Sequence, residues 1–326
     1  MKKGKTSLLL GATGFVGRNL ADYLEARGQK IIGTYFHRRR RMDFSKKIRL
    51  VHCNVIERDS IRRVVSQFSP DYIYYLAAQS SPQRAWRKPV ETIQVNLIGG
   101  VYLLEMLRHL NSMAKVLIFS SGTIYGASHL SGESLDEEAH LEPKDPYSIS
   151  KTDIDILARL YAHLFGLNVS VVRLANLVGL GQSTIFSISN FASQIAMLET
   201  SRRSSCTLEV GNLSAKRDYL DVRDGVRALY LAMKYGQPGE AYNIASGTSR
   251  ALKDVLHELI NLSELKWSEV RIERKEDLVP KGEILAMKLD SSKFRKLKGW
   301  HPKIQFRRTL QDILDERRKY WREAIK

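Results

Sequence analysis

The chain has 326 residues, 43% of them hydrophobic, and carries a formal net charge of +17. This length predicts two domains, or one large domain with an addition, and the composition is that of a globular protein with a sizeable core. The only two cysteines, Cys53 and Cys206, are far apart and outside any CxxC pair. That argues against a disulfide framework or zinc knuckle, favours a reducing cytoplasm, and leaves no metal site to propose.

The positive charge has three interpretations, namely nucleic acid, a membrane surface or acidic small molecules. Most basic residues are scattered, one dense run lies at 37–41, and no aromatic-basic RNA-binding signature accompanies them. Gly11 and Gly14 interrupt the N-terminal apolar run before a signal peptide would be complete. We expect no run to span a bilayer, so acidic ligands are favoured as partners over nucleic acid or a membrane.

Short apolar segments alternate with stretches of helical spacing through the first half of the chain. The predicted strands are 7–10, 30–35, 48–53, 71–78 and 115–121, with helices such as 15–28 and 60–68 between them. Continuous apolar strands that alternate with amphipathic helices indicate a parallel sheet covered on both faces. The predicted fold class is α/β, with a doubly wound, Rossmann-type sheet.

The second half contains one long predicted helix, which begins at Pro146 and ends near Phe165, where Gly166 can cap it. A strand at 168–175, a helix at 224–235 and a strand at 241–246 complete the sheet. The remaining segments contain mixed short strands and helices, which we assign to a smaller, discontinuous α/β substrate domain. The predicted division is a Rossmann domain at 1–176 and 221–246, and a substrate domain at 177–220 and 247–326.

Three glycines spaced three apart, Gly11, Gly14 and Gly17, follow the first predicted strand. The first permits a tight turn, the second lets a pyrophosphate approach the backbone, and the third allows close helix–strand packing. Unpaired amides at the helix N-terminus would then face the phosphates. This pattern predicts dinucleotide binding, with further contacts from Thr13, Phe15, Val16 and Arg18.

The end of the second predicted strand contains no carboxylate that could accept hydrogen bonds from an NAD ribose. Instead, His37 begins a run of four arginines, and arginines bind a 2′-phosphate through charge-assisted hydrogen bonds. The predicted cofactor is therefore NADP(H), with His37, Arg38 and Arg39 as candidate contacts. The alternative is a solvated loop that contacts nothing.

Tyr147 and Lys151 are four apart on the long predicted helix and share a face. A free tyrosine has a pKa of about 10, and a nearby ammonium is expected to lower it by stabilising the phenolate. Ser121, at the carboxyl end of a predicted strand, would polarise a carbonyl beside the tyrosine.

The motifs GATGFVG, YLAAQS, SSGTIYG, PYSISK, RLANLVGLG and YNIASG occur in this order. Together with KGWHP near the end, they resemble the extended short-chain dehydrogenase/reductase family, which acts largely on nucleotide sugars. The resemblance implies a catalytic set of Ser121, Thr123, Tyr147 and Lys151, with Lys151 also bound to the nicotinamide ribose. It implies further cofactor contacts from Asn54, Val55, Leu76, Ala77, Ala78 and Leu174.

The stretch LEVGNLSAKRDYLDVRD at 208–224 is similar to a segment of GDP-mannose 4,6-dehydratases and GDP-4-keto-6-deoxy-mannose reductases. The resemblance implies a GDP-linked sugar whose pyrophosphate is bound by Arg217, a residue that would otherwise form a surface ion pair with Asp218. For Glu283, the alternative to a ribose contact is a solvated side chain. The substrate contacts it implies are Gln79, Ser81, Ser121, Thr123, Asn176, Val210, Arg217 and Glu283.

The dehydratases of this family have a glutamate two residues before the tyrosine of the YG pair, where this chain has Thr123. Neither Thr123 nor Gly122 can act as a carboxylate base, so the sequence favours NADPH-dependent reduction of a C4 ketone, with Tyr147 as proton donor. An epimerase with tightly bound NAD is the alternative. A 4,6-dehydratase is less favoured, and a non-catalytic Rossmann binding protein is a remote alternative.

Members of the family often form homodimers through two helices, here about 90–110 and 147–165. Apolar residues on the first of these helices would serve a helix bundle between subunits or be buried within one chain. These residues are Tyr102, Leu103, Leu104, Met106 and Leu107.

Overall fold

The computed structural model describes residues 5–37, 44–126, 134–201, 206–279 and 281–324. The strands in these ranges are β1 (Thr6–Leu10), β2 (Lys30–Tyr35), β3 (Arg49–His52), β4 (Tyr72–Tyr75), β5 (Lys115–Ser121), β6 (Val169–Leu174), β7 (Asn176–Val178), β8 (Cys206–Val210), β9 (Lys216–Asp221), β10 (Ala241–Ile244), β11 (Ser249–Ala251) and β12 (Val270–Arg274). The α-helices are α1 (Phe15–Glu25), α2 (Arg58–Phe68), α3 (Pro82–Arg87), α4 (Pro89–Ile93), α5 (Gly99–His109), α6 (Pro146–Phe165), α7 (Ser187–Ser201), α8 (Val222–Tyr235), α9 (Leu252–Asn261), α10 (Ser292–Lys298) and α11 (Phe306–Ala324). A π-helical segment, Gln94–Ile98, joins α4 to α5, and short 3₁₀ turns occupy Gly122–Tyr125, Trp267–Glu269 and Glu276–Leu278.

The large sheet has seven strands in the order β10-β6-β5-β4-β1-β2-β3, and every neighbouring pair is parallel. Successive residues of β1 face opposite sides, so Leu8 packs with α2, α5 and α6 whereas Leu9 packs with α1 and α8. Helices cover both faces, which confirms the predicted doubly wound Rossmann-type fold. The strand order reverses between β1 and β4, and ligands of such sheets bind at the carboxyl ends of the strands beside that point.

A smaller region packs beside the large sheet. It contains a three-stranded sheet, β11-β9-β7, and the parallel pair β12-β8. Apolar side chains of α7, α9 and α11 form its core, including Phe191, Leu256 and Leu310. These residues fall within the predicted substrate domain, whose boundaries stay a prediction.

One helical stretch, Pro89–His109, is long and apolar enough by composition to span a membrane, contrary to the expectation that no run would be. The sequence does not mark this stretch as one helix, because α4, the π-helical segment and α5 follow one another directly and differ in type. Four of the side chains proposed for a bundle, Leu103, Leu104, Met106 and Leu107, are buried in the core under the large sheet. For these four residues the interpretation as an intrachain face is the correct one.

Trp300, in the KGWHP motif near the C-terminus, packs into the core of the large sheet. It is 1% exposed and lies edge-on to Phe294 of α10, with ring centroids 5.5 Å apart. Phe294 in turn contacts Tyr242 of β10. The last part of the chain therefore belongs physically to both regions.

Candidate active site

The glycine loop between β1 and α1 has the backbone geometry of a phosphate site. Gly11 has φ +94°, and a Cβ there would lie 2.8 Å from the nitrogen of Ala77. A Cβ on Gly17 would lie 2.4 Å from the oxygen of Gly11, so side chains are excluded at both positions. No side chain of the described residues caps the N-terminus of α1 at Phe15. The loop therefore leaves helix amides for an anion, as a dinucleotide requires.

The other predicted cofactor residues lie around this loop. The Arg18 guanidinium donates to the carbonyl of Thr13 at 3.3 Å, and the backbone nitrogen of Leu76 donates to Leu10 at 2.9 Å. Leu174, at the end of β6, lies opposite Ser121 in the sheet register. The predicted contacts that the structure brings to the carboxyl ends of neighbouring strands and the start of α1 are Gly11, Thr13, Gly14, Phe15, Val16, Gly17, Arg18, Leu76, Ala77, Ala78 and Leu174.

Three residues predicted for the adenosine end of the cofactor site lie among the described residues, namely His37, Asn54 and Val55. His37 contacts the ring of Phe36, with centroids 4.2 Å apart. The side-chain amide of Asn54 donates to Glu57 at 2.7 Å, and Val55 is nearly buried. Arg38 and Arg39 lie outside the described residues, so their contact with a 2′-phosphate stays a prediction.

Four predicted catalytic residues, Ser121, Thr123, Tyr147 and Lys151, come together where β5 ends and α6 begins; we call them the catalytic wall. The Ser121 hydroxyl accepts hydrogen bonds from the backbone nitrogen of Thr123 at 3.2 Å and from its hydroxyl at 2.9 Å. Ser121 also hydrogen-bonds the Tyr147 phenol. The Lys151 ammonium donates to the carbonyl of Phe119 at 2.8 Å.

Helix α6 holds Tyr147 and Lys151 with defined ends. Asp145 caps its N-terminus in a reciprocal capping box with Ser148, Pro146 occupies the first turn, and Gly166 ends it with φ +67°. These bounds agree with the predicted helix.

Burial governs the titration of the two central groups. It raises the pKa of Tyr147 to about 12, although the hydrogen bond to Ser121 opposes the shift. It lowers the pKa of Lys151 to about 8. The expectation that Lys151 lowers the pKa of Tyr147 is therefore wrong for this structure, because desolvation outweighs any favourable charge.

Asn96, in the π-helical segment, is a functional candidate that the sequence did not reveal. Its side-chain oxygen accepts from the backbone nitrogen of Gln79 at 2.8 Å, and its amide donates to the Gln79 carbonyl and the Ser150 hydroxyl, both at 3.0 Å. Ser150 adjoins Lys151 on α6. Asn96 thus ties the loop after β4 to the catalytic helix, and such π segments are frequent at functional sites.

Three predicted substrate contacts have other roles in the structure. The side-chain amide of Gln79 donates to Thr92 and Ser81, and its oxygen accepts from the nitrogen of Ser81, so it holds the loop in which it lies. The Ser81 hydroxyl caps α3. Val210 is 1% exposed and packs in the core of the smaller region, so its side chain is not available to a ligand.

A second group of polar residues, Asn212, Arg217 and Glu283, lies in the smaller region; we call it the nucleotide wall. The Asn212 amide donates to the Glu283 carboxylate at 2.6 Å, so Glu283 is not merely solvated. Burial lowers the pKa of Arg217, and the nearby Tyr219 and Glu283 oppose that shift. Asn176 begins β7 and lies opposite Tyr219 of β9.

The alternative role for Arg217, a surface ion pair with Asp218, is wrong. Asp218 is fully buried and accepts hydrogen bonds from the backbone nitrogens of Ser246 and Gly247, at 2.9 and 2.8 Å. The salt bridges between described residues do not include an Arg217–Asp218 pair. The Arg217 guanidinium instead donates to the carbonyl of Lys216 at 2.9 Å, and its contact with an anionic ligand stays a prediction.

A buried polar network lies behind the catalytic wall. Arg173 of β6 donates to both carboxylate oxygens of Asp155 on α6, at 2.8 and 3.1 Å, and to the phenol of Tyr125 at 3.0 Å. Tyr125 ends the 3₁₀ turn that begins directly after Ser121. The network fixes α6 against the ends of β5 and β6.

The sequence and fold of this chain have counterparts among known proteins. The GDP-mannose 4,6-dehydratase family matches it over residues 8–313. A GDP-6-deoxy-D-mannose reductase from Pseudomonas aeruginosa is 28% identical over 307 residues, covering 94% of this chain and 95% of the relative. The chain belongs to the GDP-mannose 4,6-dehydratase family, which confirms the resemblance to extended short-chain dehydrogenase/reductase enzymes of nucleotide sugars.

Two solved structures extend the comparison. RMD from Pseudomonas aeruginosa, complexed with NADPH, has a TM-score of 0.82 and 26% identity, covering 97% of this chain and 99% of that chain. The UDP-glucose 4-epimerase of Thermus thermophilus, in complex with NAD, has a TM-score of 0.85 and 25% identity, covering 96% and 99%. Both share the fold over nearly the whole chain, yet the nicotinamide cofactors they bind differ.

Proposed function

We propose that the protein reduces the C4 ketone of a GDP-4-keto-6-deoxy-hexose with NADPH as reductant. The observation that carries this proposal is the chemistry of the catalytic wall. Thr123 lies where a dehydratase would need a carboxylate, and its hydroxyl donates to Ser121 at 2.9 Å instead. The four residues of the catalytic wall supply a proton donor and an oxygen-orienting hydroxyl, and none of these four is an acidic base for elimination.

The residues around the glycine loop fit a nicotinamide dinucleotide. The amides of α1 would hold its pyrophosphate, Lys151 its ribose, and the basic run at 37–41 the 2′-phosphate that distinguishes NADPH. The NADPH bound to RMD supports this choice. When bound, the cofactor supplies the hydride.

The chain's own groups supply the proton and the alignment. The pKa of Tyr147, raised to about 12 by burial, keeps the phenol protonated at neutral pH, as a proton donor requires. Ser121 hydrogen-bonds that phenol, and Thr123 orients Ser121 through its two donors. Ser121 and Tyr147 would then converge on one ketone oxygen, so that positioning lowers the barrier.

The nucleotide wall supports a GDP-linked substrate. Arg217 presents a forked, permanently charged side chain suited to a pyrophosphate, and Asn176 and Glu283 would contact the sugar nucleotide. The relative from Pseudomonas aeruginosa is named a GDP-6-deoxy-D-mannose reductase, and this name supports a GDP-linked substrate.

The test is NADPH oxidation against a panel of 4-keto-6-deoxy sugars linked to GDP, UDP or dTDP. We expect stoichiometric oxidation with at least one GDP-linked ketone, and slower turnover with the others. A protein that purifies with bound NAD, consumes no NADPH and interconverts C4 epimers would instead be the alternative epimerase. Conversion of GDP-mannose into its 4-keto-6-deoxy product would identify a dehydratase.

We also propose that the protein is a homodimer. Four apolar side chains of α6 lie on its exposed side, with exposed fractions of 42% for Ile149, 48% for Ile156, 44% for Leu160 and 65% for Leu164. Their spacing forms one stripe along the helix, of the kind that packs against a partner helix. Light scattering should detect a dimer, and Leu160→Glu should shift it to monomers.

A further inference from the structure

Helix α3 makes two hydrogen bonds with residues that lie 195 positions later in the chain. The indole N–H of Trp86 donates to the carbonyl of Lys281 at 3.0 Å, and the amide of Gln83 donates to the carbonyl of Leu278 at 3.3 Å. We call these four residues the latch. The latch joins the loop that follows β4 of the large sheet to the chain that leads into Glu283.

The chain on the far side of the latch comes close to the start of α6 and to the nucleotide wall at two glycines. A Cβ on Gly282 would lie 2.8 Å from the carbonyl of Lys144, which directly precedes the cap of α6. A Cβ on Gly211 would lie 2.8 Å from the carbonyl of Leu278. Because Gly211 adjoins Asn212, a shift of the latch would alter both of these backbone contacts.

The exposure of Trp86 indicates what the contact is for. Its side chain is 44% exposed, so the ring contributes less to a core than a buried tryptophan does, and its N–H is directed to a carbonyl of the opposite region. Glu283, two residues beyond Lys281, accepts from Asn212 and lies near Arg217.

We propose that Trp86 and Gln83 are positioning residues that set the spacing between the catalytic wall and the nucleotide wall, and so determine how tightly the nucleotide diphosphate half of the substrate is bound. This inference rests on the proposed function, because it assigns the nucleotide wall to that substrate. The latch residues touch neither the reacting carbon nor the cofactor.

The test compares Trp86→Phe and Gln83→Met with Trp267→Phe, a control residue that is also 44% exposed but lies in the smaller region, against His257. Each latch variant loses one neutral hydrogen-bond donor and keeps an apolar side chain. We expect the KM for the GDP-sugar and the Kd for GDP, measured by calorimetry, to rise about fivefold, the usual effect of one such bond. The kcat and the KM for NADPH should be unchanged, and the melting temperature should fall by no more than about 2–4 °C, the effect of one such bond on stability. Every kinetic and binding parameter of Trp267→Phe should be unchanged.

Hydrogen exchange of the free protein gives a readout that needs no substrate. The backbone amides from Lys281 to Glu283 should exchange faster in Trp86→Phe than in the wild type or the control. Unchanged exchange and GDP affinity in both latch variants would overturn the proposal, as would a parallel loss of kcat and thermal stability. The two proposals can fail separately. If GDP affinity falls and hydrogen exchange rises in the latch variants but no GDP-4-keto sugar is reduced, the proposed reaction is wrong and the positioning role of Trp86 and Gln83 is supported.

Discussion

The catalytic wall and the nucleotide wall are built in different ways. Lys151 and Ser121 are 3% and 9% exposed and are held by the ends of β5 and of the 20-residue helix α6. Asn212, Arg217 and Glu283 are partly exposed, and they are held to one another and to loops or short strands by side-chain contacts. Packing therefore fixes the proposed catalytic residues, whereas a few hydrogen bonds fix the proposed nucleotide contacts.

Because of this difference, the two walls should differ in how well they tolerate substitutions. A substitution behind the catalytic wall leaves buried polar groups unpaired, which costs stability as well as activity. A substitution in the nucleotide wall leaves groups that water can reach. The enzymes that share this fold over nearly the full chain are named for different nucleotides, as such an arrangement would allow.

The largest effect should come from the catalytic wall. Tyr147→Phe removes the proton donor, and general acid catalysis contributes about 10²- to 10⁴-fold, so kcat should fall by that factor. Cofactor affinity, measured by fluorescence titration with NADPH, should stay nearly intact. A variant that turns over at the wild-type rate would remove Tyr147 from the mechanism.

Asn96, behind the catalytic wall, and Asn212, in the nucleotide wall, make a matched pair. Asn96→Ala leaves the buried backbone nitrogen and carbonyl of Gln79 without their partner, although the Ser150 hydroxyl still donates to the Tyr147 carbonyl. This should lower the free energy of unfolding by about 1–3 kcal/mol, and kcat with it. Asn212→Ala should raise the KM for the nucleotide sugar and leave urea unfolding unchanged. Equal losses of stability would contradict the distinction between the walls.

Arg217→Lys keeps the charge of the nucleotide wall but removes the forked geometry. Hydrogen bonds to charged groups contribute about 1.5–3 kcal/mol, so the KM for the GDP-sugar should rise roughly 10- to 100-fold with kcat little changed. Steady-state kinetics at fixed NADPH measures both parameters. A fall in kcat alone would place Arg217 in the catalytic step instead.

The smallest effect is a pH dependence. The charged form of Lys151 is present below its lowered pKa of about 8 and lost above it. The kcat/KM for NADPH should therefore fall by up to about tenfold per pH unit above that value. Lys151→Arg stays protonated and should lack this alkaline limb.

The same shift affects stability. Because the pKa of Lys151 is lowered from 10.5 to about 8, the unfolded chain binds more protons than the folded chain between these two pH values. The contribution of Lys151 to the free energy of unfolding therefore rises with pH in that window.

Features with a local chemical signal were predictable from the sequence. Helix α6 matches its predicted bounds because Pro146 and Gly166 mark its two ends, and β2 matches because an apolar run defines it. Helix α1 ends at Glu25, a few residues before Gly28, whose φ of +71° marks the turn to β2. The glycine loop was predictable for the same reason, since a side chain at Gly11 or Gly17 would clash with neighbouring backbone atoms.

Features that depend on distant contacts were not predictable. The π-helical segment that carries Asn96 continues the apolar spacing of the helices on either side, so no break in the sequence pattern marks the change of helix type. The pKa of Tyr147 depends on how deeply folding buries the phenol, which spacing along a helix does not reveal. The proposed roles of Arg217 and Glu283 follow from resemblance alone. The hydrogen bond from Asn212 to Glu283 joins residues 71 positions apart, which no local pattern reveals.

The burial of Trp300 constrains how the chain can be made. The core of the large sheet includes a side chain that is synthesised well after β10 (Ala241–Ile244), the last of its strands. Until then, the surface of Phe294 that Trp300 covers stays open to water. The large sheet therefore cannot complete its core before Trp300 is synthesised, and truncation before this residue should leave an incomplete core rather than a separable domain.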